Sequence, residues 1–285
     1  MIELLDYILD YDDNFWIIEQ IDNEIKGYKV YQVDETGKKY NHITKKNYIK
    51  AKFDGLKKIP AYKQLFKPNE FYLNSKKKLF GVWEKYVTAL NKIGINDENI
   101  GIFGSYLIGF DITKDVDFVI YGYDNLEKYY KNRDFIREYT NSTTISQRHI
   151  DYQYNKHKIY YSDKTDLLEI ISRNWSGIQI EDGVLSTPRF VERNNQHMPV
   201  PTGKTKVVRL EVLDGLGSSM LPRKCKVLYN NQEYLLMTCI WKYQSFLRKG
   251  DIIECLCDIN DDLKVLILSD VNYYIKFIKK GNNIV

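Results

Sequence analysis

The stretch that decides the fold is GIFGSYLIGFDITKDVDFVIYG, residues 101–122. A short apolar run, IGIFGS at 100–105, predicts a strand that ends at Gly104 and Ser105. A brief, turn-rich helix, YLIGFDI, is expected next. DVDFVIYG at 115–122 then predicts a second strand. The predicted order of elements in this stretch is therefore a strand, Gly-Ser, a helix and a second strand.

The chemistry of this stretch lies in two carboxylates and a glycine. Because side chains alternate along a strand, Asp115 and Asp117 are expected on one face. Two adjacent carboxylates repel unless a cation lies between them, although D-x-D alone is also a common surface pattern. The preceding Gly104 lets a phosphate approach the backbone, and the Ser105 hydroxyl, nearby N–H groups and the helix dipole can then hold it. The combination indicates a metal and phosphate site.

These residues resemble the nucleotidyltransferase superfamily, which includes DNA polymerase β, the CCA-adding and poly(A) polymerases and small antibiotic nucleotidyltransferases. Its signature is a strand, Gly-Ser, a helix and D-x-D on the neighbouring strand. The matching residues here are Gly104, Ser105, Gly109, Asp115 and Asp117. The resemblance implies a polymerase β-like core, with Mg²⁺, or Mn²⁺ in its place, supporting transfer of a nucleotidyl group from an NTP.

A wider likeness covers most of the chain. A β-rich leader, an IPAY link, a Trp-bearing helix, the GS/DVD core, an LSTPRF stretch and a β-barrel tail follow one another as in a group of larger predicted nucleotidyltransferases. These motifs are loose, and the likeness names no substrate.

A third carboxylate would complete the metal site. In a two-metal mechanism, carboxylates bridge two ions about 3.5–4 Å apart, and Mg²⁺ prefers such oxygen ligands. The superfamily usually supplies the third carboxylate from a later strand. Glu181 in GIQIE is the preferred candidate, with Asp151 in HIDYQY and Glu169 in LLEII as alternatives. Its absence would indicate a degenerate enzyme. Arg173, Arg189 and Arg193 are candidate triphosphate contacts, since the guanidinium fork matches phosphate oxygens, or else ordinary surface residues.

The chain is predicted to be α+β, in three regions. Residues 1–74 form a β-rich N-terminal region, in which 14–33 gives two strands joined by a turn. Residues 75–200 form the nucleotidyltransferase core, a mixed sheet with helices. Residues 201–285 form a small OB-like β-barrel.

Within the core, hydrophobic periodicity predicts a helix over 76–94 and another over 124–139. The stretch from 149 to 180 has a mostly β pattern. IPAYKQLFKPNEF, ahead of the first helix, is expected to be an irregular link because it contains two prolines.

The barrel is predicted from five short strand-like segments separated by Asn, Asp and Gly turns. OB-like barrels commonly bind single strands through basic and aromatic side chains. The residues that supply them are Arg223, Lys224, Lys226, Tyr229, Tyr234, Trp241, Lys242 and Tyr243. The barrel also holds all four cysteines, and Cys255 and Cys257 should share a strand face as buried, reduced thiols rather than zinc ligands.

Composition sets the broad class. The 285 residues carry 42 Lys and Arg against 38 Asp and Glu, a formal net charge of +4. No apolar run approaches the ~18 residues of a membrane span, and the acidic N-terminus does not resemble a targeting signal, so we expect a cytoplasmic protein without a membrane partner. Lysine is concentrated at 38–58 and 76–78, which suits phosphates or nucleic acid, or forms an ordinary solvated surface.

The sequence therefore predicts a metal-dependent nucleotidyltransferase that acts from an NTP on an unidentified acceptor, which the sequence leaves open among RNA, a protein and a small molecule. The alternative is a catalytically inactive version of the same fold that serves as a nucleic-acid-binding module. A third carboxylate within reach of Asp115 and Asp117 would favour the enzyme.

Overall fold

The structure is a computed structural model. It describes residues 2–79, 81–110, 116–142, 151, 154, 165, 178–179, 185–186, 188–193, 197–240, 247–270, 273–279 and 281. The chain is mixed α+β and built mainly of strands. It divides into two compact units: Met1–Thr144 with Ser176–Gln196, and Ile145–Trp175 with His197–Val285. No helix in the described part of the chain is long and apolar enough to cross a lipid bilayer.

An antiparallel sheet opens the first unit. Its strands are β1 (Tyr7–Asp10), β2 (Phe15–Ile21), β3 (Ile25–Val33), β4 (Lys39–Asn41), β5 (Lys46–Lys50), β6 (Lys57–Lys58) and β7 (Tyr62–Phe66). They follow the order β4-β5-β3-β2-β1-β7, and β6 also pairs with β3. The predicted strand pair within 14–33 is confirmed as β2 and β3. Aromatic side chains fill the sheet's core, since the Phe15 ring lies 5.4 Å from Tyr48 and 5.9 Å from Phe66.

A smaller sheet with helices follows in the same unit. Its elements are α1 (Pro68–Ser75), α2 (Val82–Lys92), β8 (Ile100–Phe103), β9 (Asp117–Tyr121), α3 (Tyr123–Lys131), α4 (Arg133–Tyr139), β10 (Ile178–Gln179), β11 (Leu185–Ser186) and β12 (Arg189–Val191). β9 lies between β8, which is antiparallel to it, and β12, which is parallel to it. β10 and β11 form a separate antiparallel pair.

The helices differ from the sequence prediction in two places. The helix expected over 76–94 begins only at Val82, because Gly81 adopts a positive φ and a short 3₁₀ turn occupies 76–78. The link expected to be irregular instead contains the strand β7 and the start of α1. The first residue of α1 is Pro68, and proline at this position lacks only an N–H that a helix would leave unbonded. The helix predicted over 124–139 is present as α3 and α4.

The β pattern expected from 149 onward is wrong at three described positions. Asp151, Tyr154 and Thr165 are helical. Aromatic and β-branched residues favour strands only where they fit a half-buried pleated surface, so their presence is weak evidence for a strand.

A closed five-stranded β-barrel dominates the second unit. It consists of β13 (Thr205–Asp214), β15 (Arg223–Tyr229), β16 (Gln232–Thr238), β17 (Ile252–Asn260) and β18 (Val265–Ile267); β14 (Met220–Leu221) precedes β15, and β19 (Ile275–Lys279) adds to β17. The barrel order is β13-β15-β16-β18-β17, and β17 closes back onto β13. Only the β16–β18 barrel pairing is parallel. The predicted closed barrel is confirmed.

The barrel interior is apolar because side chains alternate along each strand. On β17, Ile253, Cys255 and Cys257 point inward and are fully buried, and all four cysteines are free thiols. Cys225 illustrates their environment, since burial raises the pKa of its thiol. The prediction of reduced, buried cysteines is confirmed.

The buried carboxyl of Asp6 makes the stability of the first unit pH-dependent. Asp6 is 1% exposed and accepts a hydrogen bond from the Glu3 N–H at 2.9 Å, and burial raises its pKa to about 7. A pKa above the unfolded value means that the native state holds the proton more tightly. This contribution is complete below about pH 4 and is lost as the pH rises through 7.

We therefore expect the free energy of unfolding of the wild type to fall between pH 4 and pH 7, on the order of 4 kcal/mol from this group. Asp6→Asn should remove that fall, because the amide still accepts the Glu3 N–H and does not titrate. Urea denaturation at several pH values measures the slope. Asp12→Asn, at an exposed position, should keep the wild-type slope; equal slopes for wild type and Asp6→Asn would contradict the assignment.

Candidate functional site

Gly104 and Asp117 meet where β8 ends and β9 begins. Phe103, the last residue of β8, is the cross-strand partner of Asp117. Gly104 follows with φ +76°, and a Cβ atom there would lie 2.4 Å from Oδ2 of Asp117. Only glycine fits this conformation without displacing the carboxylate. The sheet thus brings the predicted phosphate-binding glycine and a predicted metal-binding carboxylate into contact, and Asp117 remains half-exposed.

The segment after Gly104 is a turn and not the helix that the sequence predicted. The Phe110 N–H donates to the Ser105 carbonyl at 3.0 Å, and the Gly109 N–H donates to the Tyr106 carbonyl at 3.2 Å. Gly109 has φ +86°, which stops a helix from continuing. Ser105 therefore begins a hydrogen-bonded turn, so no helix dipole favours an anion there and only local N–H and hydroxyl groups can.

The β4–β5 hairpin of the N-terminal sheet holds this turn in place. The fully buried Asn41 donates from Nδ2 to the Ile108 carbonyl at 2.7 Å, and the His42 N–H donates to the Gly109 carbonyl at 2.9 Å. The Asn41 side-chain oxygen accepts the N–H groups of Ile43 and Thr44. One asparagine thus fixes both the hairpin and the turn.

Phe110 anchors the far end of the turn in the aromatic core. Its ring lies 4.7 Å from Tyr31, 5.5 Å from Tyr48 and 6.0 Å from Phe15. The turn is consequently held at two points, by hydrogen bonds near Ile108 and by packing at Phe110.

An ion pair between the half-buried Arg189 and the buried Glu19 lies close to Asp117. Arg189, the first residue of β12, donates from Nη1 to Oε1 of Glu19 at 3.0 Å, and its guanidinium lies over the Phe103 ring at 5.3 Å. Burial of Arg189 lowers its pKa, because it disfavours the charged form. The negative charge of Glu19, with smaller effects that include Asp117, outweighs burial and raises the pKa. Glu19 is 1% exposed, and in the described part of the chain its Oε2 has no hydrogen-bond partner.

Glu19 and Asn41 are site residues that the sequence did not indicate. Glu19 lies in an apolar strand, FWIIEQI, where a single acid is unremarkable. Asn41 lies in a Lys-rich turn, where asparagine is expected for local reasons. Their partners, Arg189 and Ile108, are distant in sequence, so the residues next to Glu19 and Asn41 give no sign of these contacts.

The structure does not test most of the remaining predicted core residues. Asp115, Glu169, Arg173 and Glu181 lie outside the described residues. Asp151 is exposed, and it belongs to the second compact unit whereas Asp117 belongs to the first.

Arg193, the third arginine considered for the triphosphate, has other contacts. It donates to the Glu98 carbonyl, and its guanidinium lies 4.6 Å from the Tyr121 ring centroid. Among the residues that the structure describes, no three His, Cys, Asp or Glu side chains cluster as a metal site would require.

Several basic and aromatic barrel residues were predicted to bind single-stranded nucleic acid, but they already contact other groups of the protein. Arg223 is buried and donates to the Cys239 carbonyl. Tyr234 is also buried, and its hydroxyl donates to Asp261 at 2.6 Å. Trp241, Lys242 and Tyr243 lie outside the described residues.

The other described members of that barrel set have partners of their own or are partly covered. Lys226 pairs with Glu233 at 3.8 Å, and the Tyr229 ring packs 5.4 Å from Tyr234. Lys224 is half-buried.

Part of the Lys-rich region and one lysine beyond it are neutralised by acidic side chains. Lys46 and Lys63 both bind Asp13, and Lys58 pairs with Glu24 at 2.8 Å. Opposite charges held this closely reduce the field available to a distant phosphate. The lysine content of the sequence therefore overstates the positive surface.

No family model, no curated protein and no solved structure matches this chain. The contacts within the site itself therefore define its chemistry. The main contact is the close approach of Gly104 to Asp117, beside the turn that Asn41 holds.

Replacing Gly104 tests whether the close approach is required for folding. We expect Gly104→Ala to lower the free energy of unfolding by about 2–3 kcal/mol, because the added Cβ meets both a positive φ and the Asp117 carboxylate. Gly94→Ala is the matched control: φ is +81° there, and only a lysine tip lies within 4 Å, so the cost should be about 1 kcal/mol. Urea denaturation gives both values, and equal losses would show that the contact with Asp117 is unimportant.

Breaking the ion pair between Arg189 and Glu19 should be costly. Arg189→Met should destabilise the first unit by about 3–5 kcal/mol, since it leaves the Glu19 carboxylate buried without its partner. The double variant Arg189→Met/Glu19→Gln should recover much of that loss. Denaturation of both single variants, the double variant and the control Arg193→Met completes the comparison; strictly additive losses would mean that the two charges are not coupled.

Proposed function

We propose that this protein is a metal-dependent nucleotidyltransferase that transfers a nucleotidyl group from an NTP to a nucleic-acid acceptor. One observation carries the proposal: a strand ends at Phe103, immediately before Gly104 and Ser105, and Asp117 begins the neighbouring antiparallel strand in contact with that glycine. A phosphate can approach a backbone that bears no side chain, and a carboxylate beside it is placed to hold the cation that the phosphate needs.

The residues present fit a hard divalent cation, Mg²⁺ or Mn²⁺. Asp117 offers half-exposed carboxylate oxygens, and oxygen is the ligand type such ions prefer. Asp115, two residues earlier, would be the second ligand, and Glu181, which belongs to the same compact unit, the third. When bound, the ion neutralises charge on the triphosphate and on the attacking oxygen.

The chain's own groups then bind and orient the nucleotide. The Ser105 hydroxyl and the N–H groups at the start of the turn are donors for a phosphate oxygen. The turn is held by Asn41 and Phe110, so these donors need little rearrangement when the nucleotide arrives. Arg189 stays with Glu19 and acts on the site through its charge.

The small sheet of β8, β9 and β12 and the five-stranded barrel each suggest a fold family. We assign β8, β9 and β12 to a polymerase β-like core on the strength of the Gly-Ser turn and its antiparallel partner. The barrel is assigned as an OB fold, because its first strand pairs with its second and fourth and its third pairs with its fifth, a five-stranded Greek-key closure.

A specific observation favours the second candidate, a catalytically inactive nucleic-acid-binding module. Arg189 brings a permanent positive charge close enough to Asp117 for the two to interact. A fixed guanidinium near a metal ligand can replace the ion's charge in a fold that no longer performs the reaction. The two candidates differ in whether nucleotide is transferred.

Replacing Asp117 separates them. Asp117→Asn should reduce transfer from radiolabelled NTPs to RNA or DNA at least 100-fold, because the variant loses a charged metal ligand while the amide keeps the shape of the side chain. Each of the four NTPs is tested with Mg²⁺ and with Mn²⁺. Asp124→Asn, at an exposed position in α3, should transfer like the wild type.

Wild-type turnover by Asp117→Asn would contradict the metal-site assignment. Nucleic-acid binding by a wild type that transfers none of the nucleotides would favour the binding module.

A further inference from the structure

The outer face of the β4–β5 hairpin combines an aromatic ring with lysines that have no acidic partner among the residues that the structure describes. Tyr40 of β4 is the cross-strand partner of Asn47, and the neighbouring Asn41 and Tyr48 are buried on the opposite side. Tyr40 is 46% exposed, and the His42 ring contacts it edge-to-face at 5.5 Å. An exposed tyrosine steadied by a second ring offers a flat surface for stacking.

Positive charge surrounds this tyrosine. Residues 38–50 contain five lysines and no acid. Lys46 is paired with Asp13, and Lys39 lies 5.0 Å over the Tyr31 ring. Lys38 and Lys45 are exposed, and neither pairs with an acidic side chain in the described part of the chain.

We propose that this hairpin face, defined by Lys38, Tyr40, His42 and Lys45, binds the single-stranded nucleic acid that accepts the nucleotidyl group; its role as acceptor site rests on the proposed function. Stacking of bases on aromatic rings, with lysines along the backbone, is how proteins bind single strands without sequence preference. RNA and DNA share this chemistry. A polypeptide would gain the charge contacts but not the stacking.

The position of the hairpin connects this surface to the reaction site. Tyr40 points outward, and the next residue, Asn41, points inward and holds the Ile108 carbonyl of the turn. The His42 backbone binds the same turn. A strand stacked on Tyr40 is therefore held by the element that also positions Gly104 and Ser105.

Charge distinguishes Tyr40 from the other prominent exposed tyrosine. Tyr11 is 70% exposed, more than Tyr40. It lies in the turn between β1 and β2 beside the exposed Asp12, which would repel a phosphate backbone. Tyr11 is thus a matched control with an exposed ring but the opposite electrostatic surroundings.

The proposal is tested by fluorescence anisotropy with fluorescein-labelled 20-mer RNA and DNA of mixed sequence, without NTP. Tyr40→Ala should weaken binding about tenfold through lost stacking. Lys38→Gln/Lys45→Gln should weaken it and reduce the slope of log affinity against log salt by about 1.4, two counterions on a single strand. Tyr11→Ala and Lys85→Gln, an exposed lysine of α2, should bind like the wild type. Circular dichroism checks that each variant is folded.

The outcomes separate this inference from the proposed function. Loss of binding only in the hairpin variants supports the inference, whether RNA or DNA binds better and whether or not any nucleotide is transferred. Asp117→Asn should bind like the wild type even where transfer is lost. Failure of the wild type to bind either oligonucleotide overturns the inference, as does unchanged binding by the hairpin variants. Equal affinity for polyglutamate and the oligonucleotides would assign the face to an acidic polypeptide and also overturn it.

Discussion

The contact between Gly104 and Asp117 is the constraint on which the candidate site depends. β8 ends and its antiparallel neighbour β9 begins at the same end of the sheet. The Asp117 carboxylate of β9 therefore meets the backbone that follows β8. A side chain at Gly104 would occupy the position of the Asp117 oxygen. Gly104 is buried, and the Asp117 carboxylate fills the space that a side chain would take, so the steric constraint and the proposed nucleotide site coincide at one residue.

The N-terminal sheet completes the site because it holds the turn that follows Gly104 in place. The turn after Gly104 has few hydrogen bonds of its own, and Asn41 and the aromatic cluster around Phe110 supply the rest. On another side, Glu19 holds Arg189 close to Asp117. Two elements distant in sequence therefore set the position and the charge of the site, and the same hairpin presents Tyr40 to solvent.

Local patterns predicted local structure well. Alternation gave the strand pair at 14–33 and the barrel strands, because side-chain period and turn residues are properties of neighbouring positions. The same reasoning failed where two patterns compete. Periodicity continued through 76–94, yet the backbone at Gly81 interrupts the helix. Aromatic content around 149–154 suggested a strand, yet Asp151 and Tyr154 are helical. Short apolar stretches fit either period, so their tertiary surroundings decide.

By itself, the sequence determined the strand that ends before Gly104 and the strand that contains Asp117, together with the five barrel strands, because each is written in consecutive residues. Only the tertiary structure decided which charges meet. Glu19 reaches Arg189 across 170 residues and Asn41 reaches Ile108 across 67, and Asp13 takes up two lysines that composition counts as free charge. The energy of such contacts depends on distance in space and burial, and neither quantity can be read from separation along the chain.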